Sequence, residues 1–187
     1  MLHANDPSTV LGALAAAFED NEAVAAPVGV WDRDAAIVVL VPPVSAVPER
    51  RPALTPAGNP TLKKLTKTET ASMYAEMVAG FAIVTAKEAF AVAPGLSSVR
   101  LIAVRNGAAD AFGEKKTEIL VGVRFERSVL ARVDWANAEA WQVLTDAGAE
   151  VAFSMRGRPQ ARQALDLTGE PGLAAVLDAI DLDELEA

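Results

Sequence analysis

The stretch from Thr66 to Pro94 constrains this chain more than any other. Thr66 and Glu69 have the spacing of a capping box, in which each side chain satisfies a backbone N–H of the first helical turn. From Met73 onwards, Tyr74, Met77, Phe81 and Val84 recur at helical spacing, and Ala79, Ile83, Ala86 and Phe90 form a second row. Residues 78–84 carry no charge, so the helix is apolar round much of its circumference and should be buried against more than one partner. Pro94 and Gly95 end it. At about 1.5 Å per residue it is roughly 40 Å long, the spine of a domain.

The flanks supply the other layers. Asp6 and Pro7 open a first helix with Leu14 and Phe18 on its apolar stripe. Val28–Trp31, the turn Asp32-Arg33-Asp34 and the apolar run Ile37–Val41 predict a hairpin whose second strand is buried on both faces. Pro52–Thr55 and Thr61–Leu65, around the turn Pro56-Ala57-Gly58-Asn59, predict a weaker hairpin that its prolines confine to a sheet edge. Strands are expected at Val99–Val104 and about Glu118–Phe125. A helix closed by Gly148 follows, then a short edge strand in "AEVAFSM". "RGRPQARQALDLTGE" reads as irregular or loosely helical, and a last amphipathic helix carries Leu173, Val176, Leu177 and Ile180 on one face. The fold class is α+β: a mixed, mostly antiparallel sheet packed on one long central helix, with flanking N- and C-terminal helices. The expected division is a single domain over 1–155, then a basic loop and acidic helix over 156–187.

Composition excludes several chemistries. With no cysteine there are no disulfides, thiolate nucleophiles or cysteine zinc sites. The single histidine, His3, makes a Ser-His-Asp triad or a multi-histidine metal site untenable. A nuclease-like reading would rest on Asp32 and Asp34, but the carboxylate it requires two residues before a lysine in "TLKKL" is absent: Thr61 and Leu62 stand there. No catalytic, cofactor or metal residue is therefore assigned. No apolar run is long enough for a membrane span and the N-terminus has no signal-peptide pattern, so a cytoplasmic chain without membrane contact is expected.

Two basic clusters stand out against a formal net charge of −8. Lys63, Lys64 and Lys67 precede the long helix, and Arg156, Arg158 and Arg162 lie in the polar loop. Either could grip nucleic-acid phosphate; the plainer reading is a solvated edge and a solvated loop. Met73, Met77 and Phe81 read as a ligand groove or as core, and Trp31, Trp135 and Trp141 as packing anchors. The stripe Leu173, Val176, Leu177, Ile180 is the leading candidate for contact with a protein partner or a second copy.

Several segments resemble a known module. A strand pair ending "LVPP" precedes "ERRPALTPAGNPTLKKLTKTE", then "MYAEMVAGFAIVTAKEAF", "SVRLIAVR" and "ILVGVRFERSVLARVDW". Over residues 27 to 135 this resembles the accessory, non-catalytic domain of Mrr-like bacterial restriction-system proteins and related bacterial proteins. The chain lacks the helical region that often precedes that module, and the residues after 135 are too few for a nuclease domain. The resemblance implies a stand-alone, non-enzymatic interaction module, a subunit of a prokaryotic defence or stress system. The alternative is a nucleic-acid-binding accessory domain using both basic clusters.

Overall fold

The long helix forms as its caps dictate. In the computed structural model, which describes residues 5–22, 24–109, 111–113, 115–157 and 160–166, helix α2 spans Lys67–Val92. Thr66 Oγ1 accepts from the Glu69 N–H and the Glu69 carboxylate accepts from the Thr66 N–H, completing the capping box. Alanines 71, 75, 79, 82, 86, 89 and 93 are all buried, in steps of three or four that keep them together as the helix turns. Their small side chains allow close approach of neighbouring elements.

Those neighbours are chiefly a six-stranded sheet. In chain order the elements are α1 (Pro7–Phe18), β1 (Ala25–Trp31), β2 (Asp34–Leu40), a 3₁₀ turn (Val44–Ala46), β3 (Arg50–Leu54), β4 (Pro60–Lys64) and α2. Then come β5 (Ser98–Ala109), β6 (Lys115–Glu126), α3 (Arg127–Leu130), α4 (Ala140–Ala147), β7 (Gly148–Arg156) and β8 (Ala161–Gln163). The sheet order is β1-β2-β5-β6-β7-β8. Among the described residues only β2 and β5 pair in parallel. That pairing requires a crossover, and α2 supplies it. The fold is therefore α+β with a mixed, mostly antiparallel sheet.

The main core lies between α2 and the sheet, with Tyr74, Val78, Ile83 and Phe90 meeting Ile37, Val39, Leu101, Leu120, Val121 and Phe125. A smaller cluster of Val38, Ile102, Val104 and Ile119 contains the alternate residues, and Leu165 packs into it after its N–H donates to the Ile119 carbonyl. Residues Ala35–Val39 of β2 are all buried, as its unbroken apolar run requires.

Several expectations are corrected. The proline-rich hairpin joins no edge of the main sheet: β3 and β4 form a separate two-stranded ribbon. Prolines 52 and 60 are accommodated because, among the described residues, this ribbon has no third strand. Strands β5 and β6 run well beyond the apolar segments that announced them, through polar residues that read as loop. "AEVAFSM" is no edge, since β8 pairs beyond it within the segment expected to be irregular, and the sheet continues across the 155/156 boundary. Met73 and Val84 face solvent rather than core, and Trp31 is 61% exposed, lying over Gly29 instead of anchoring the interior.

The tight α4–β7 junction gives a paired prediction. A Cβ on Gly148 would overlap the Leu144 carbonyl oxygen and approach Val123 Cγ2 to 2.6 Å, whereas one on Gly80, within α2, meets nothing within 4 Å. In chemical denaturation, Gly148→Ala should cost about 1–3 kcal/mol. Gly80→Ala should stabilise by up to about 1 kcal/mol.

Candidate functional site

The ribbon explains the first basic cluster. Its strands pair about a turn in which Thr55 N–H donates to Asn59 O, Gly58 N–H donates to Thr55 O, and Gly58 takes a left-handed φ of 80°. The register sets Arg50 opposite Lys64, Arg51 opposite Lys63, Pro52 opposite Leu62 and Leu54 opposite Pro60. Side chains alternate between faces along a strand. One face therefore carries Pro52, Leu54, Pro60 and Leu62, with Arg50 and Lys64 at its base. Leu54 and Leu62 are 70% and 60% exposed. Arg51 and Lys63 lie on the other face, where Arg51 Nε bonds Glu69 at 3.0 Å. The ribbon is thus tied to the first turn of α2. Its base is closed by Leu65 N–H donating to Glu49 O, with Leu65 and Val47 buried. Lys67 is the first residue of α2.

The arginine cluster does not stay together. Arg156 is exposed at the end of β7. Arg162 is only 8% exposed: its guanidinium stacks on the Trp141 ring at 3.7 Å and lies 5.4 Å from that of Phe153. Burial pulls its pKa below the usual arginine value, with Glu76 acting the other way. Arg162 is thus no loop cation, and Trp141 packs through it and edge-on against Phe153. Arg158 and the stripe Leu173, Val176, Leu177, Ile180 lie outside the described residues.

Two clefts result. One, of about 440 Å³ at the foot of the ribbon, brings Lys64, Lys67 and Arg162 together with Arg105 and Tyr74. Arg105 bonds Glu118 at 2.8 Å. Burial opposes its charge, but Glu118 and Tyr74 hold its pKa above the ordinary value. Tyr74 donates to the Pro42 carbonyl, and burial raises its phenol pKa. The other cleft, of about 460 Å³, lies between the end of α1 and the middle of α2, lined by Met77, Phe81 and Val84 and rimmed by Asp20 and Glu22. Asn21 fixes that rim by donating to Glu88 at 2.7 Å. The methionine–phenylalanine row therefore lies in a groove open to solvent.

The aspartates weighed for metal chemistry are structural. Asp34 accepts from Ser98 Oγ and pairs with Arg124 at 3.0 Å, fixing the start of β2 beside β5 and β6. Asp32 is a turn residue with a φ of 52°. Among the described residues no cluster of three carboxylate or histidine ligands could hold a metal ion, and no helix is long and apolar enough to cross a membrane. The residues missed in sequence are Arg50, Arg51 and Arg105. The first two were findable, since they mirror Lys64 and Lys63 about Ala57, the centre of the turn.

No family model, curated protein or solved structure matches the chain. The likeness to the Mrr-like accessory domain therefore rests on the quoted residues alone.

Glu69 is the latch between ribbon and helix. Hydrogen bonds from the Thr66 backbone and side chain, then from Arg51, hold its pKa at about 2, below the usual 4.5. A depressed carboxylate contributes stability that is present above its unfolded pKa and is lost as pH falls from about 4.5 towards about 2. An NMR titration should find Glu69 ionised at pH 3. Thr66→Ala and Arg51→Gln should each move its midpoint up only in part, because the Thr66 backbone N–H still donates to Glu69 in both, and a midpoint near 4.5 in the unmodified chain would break the latch account.

Proposed function

We propose that this chain is a protein-interaction module that assembles with a second copy of itself, the β3–β4 ribbon of one docking in the α1–α2 groove of the other. The observation that carries this reading is the ribbon face on which exposed Leu54 and Leu62 stand above Arg50 and Lys64. A two-stranded ribbon is marginal in water by itself, and exposed leucines on it favour a covering surface. The apolar groove floor of Met77, Phe81 and Val84, with Asp20 and Glu22 on its rim, matches that face in polarity and in charge.

The charge balance favours a second copy. Five of the chain's 17 lysines and arginines fall between Arg50 and Lys67, a segment without a carboxylate, while the whole chain carries −8. The rest of the molecule is therefore strongly acidic, and opposite fields draw the ribbon of one copy to the body of another. Reciprocal docking of two ribbons in two grooves closes with two-fold symmetry. The apolar face favours protein over nucleic acid, whose phosphates would engage the cations and leave Leu54 and Leu62 uncovered. The setting in a prokaryotic defence or stress system comes from the sequence resemblance alone.

Light scattering after size exclusion tests this. The chain at about 100 µM should run as a dimer that weakens at high salt. Leu62→Glu, on the ribbon, and Val84→Glu, in the groove, should each give a folded monomer. Mixing the two should restore partial association, because one intact ribbon then meets one intact groove. A monomeric unmodified chain, or a dimer indifferent to both substitutions, would refute the reading. A salt-sensitive mobility shift with DNA or RNA that survives Leu62→Glu would move the function to the basic residues.

A further inference from the structure

We propose that the cleft at the foot of the ribbon is a binding site for a small phosphomonoester, a ligand of mononucleotide size whose phosphate lies among Lys64, Lys67, Arg105 and Arg162. The site is separate from the α1–α2 groove of the self-association reading, shares only Lys64 with the docking ribbon face, and stands without that reading.

The four cations come from four elements: Lys64 from β4, Lys67 from the start of α2, Arg105 from β5 and Arg162 from β8. Like charges converge at a cost unless an anion joins them. The neighbouring carboxylates are largely committed elsewhere. Glu118 is bonded to Arg105 and Glu69 to Thr66 and Arg51, while Glu76 accepts from the Trp141 backbone N–H at 3.1 Å and its charge acts on Arg162. After Glu118 is set against Arg105 and Glu76 against Arg162, the charges of Lys64 and Lys67 remain in excess.

Arg162 supplies the independent sign of a ligand. It lines the cleft while more than nine-tenths buried. Nη1 donates to the Gln160 carbonyl at 3.2 Å, and Nε has no protein partner. A buried guanidinium charge is costly without an anion, and since Nε is closed off from the surface, it is the edge lining the cleft that an oxyanion pairs. The N-terminal end of α2 adds a dipole that favours negative charge at Lys67.

The remaining walls fix the kind of ligand. Val44, Leu65, Ala71 and Tyr74 make them apolar, so the phosphate should carry an organic group that covers them. The volume of about 440 Å³ falls in the range of small-molecule pockets. A single strand is held largely by exposed rings on which successive bases stack, and the Trp141 ring beside this cleft is already occupied by Arg162.

Isothermal titration of the full chain at fixed ionic strength tests the site with four probes: AMP, inorganic phosphate, adenosine and a single-stranded oligonucleotide. AMP should bind, inorganic phosphate more weakly, and adenosine not at all. Lys67→Gln, at an exposed position, should weaken AMP about tenfold with unchanged melting. Arg162→Met should abolish AMP binding while retaining the stacked side-chain volume, with its fold checked by circular dichroism. Val84→Glu, in the α1–α2 groove and away from this cleft, should leave AMP affinity unchanged, so failure of the dimer and failure of this site are told apart. The inference falls if neither AMP nor phosphate binds at millimolar concentration, if adenosine binds as well as AMP, if Lys67→Gln changes nothing, or if only the oligonucleotide binds.

Discussion

The burial of α2 against the sheet is the constraint on which the rest of the structure depends. Its row of buried alanines lets the helix lie close, and larger side chains between them, Tyr74, Val78, Ile83 and Phe90, fill the main core. Dense packing of this kind tolerates little change in volume. Because α2 is also the crossover between β2 and β5, its seating sets the one parallel pair in the sheet. The antiparallel strands β6, β7 and β8 then extend from β5, and the β1–β2 hairpin from the other side.

The candidate surfaces are consequences of that seating. The ribbon is an insertion between β2 and α2, so its base is held wherever the start of the helix is held. The capping box orders that start, and Arg51 transmits the order to the ribbon through Glu69. A surface ion pair contributes little to stability, but one that shares a carboxylate with a helix cap fixes direction. The same helix presents its uncovered stripe, Met77 to Val84, beside the end of α1, and its first turn beside Arg105 and Arg162. One helix thus borders both clefts, at different points along its length.

Much of the scaffold was legible in the sequence. Asp6, Thr66, Glu69, Pro94 and Gly95 mark helix ends by local chemistry, and the β2 run shows its double burial directly. The site was less legible, for three physical reasons. Periodicity identifies an apolar stripe without saying whether anything covers it, so Met73, Met77 and Phe81 read more readily as core than as the groove that Met77 and Phe81 line. Tertiary stacking is invisible locally: Arg162 is surrounded by polar residues in sequence, and its rings come from Trp141 and Phe153 on other elements. The basic ribbon required pairing about Ala57 to bring Arg50 and Arg51 beside Lys64 and Lys63, which a search for runs of lysine overlooks.

The central claim is that a self-sufficient body presents a separate contact arm. The most direct test replaces residues 51–63 with a two-residue Asn-Gly link, keeping Arg50 and Lys64. Thermal unfolding and molar mass are then measured on the same sample. The account predicts one cooperative transition within about 5 °C of the intact chain, since the arm adds little to the core, together with loss of the dimer. Loss of cooperative unfolding, or a shortened chain that still dimerises, would contradict it.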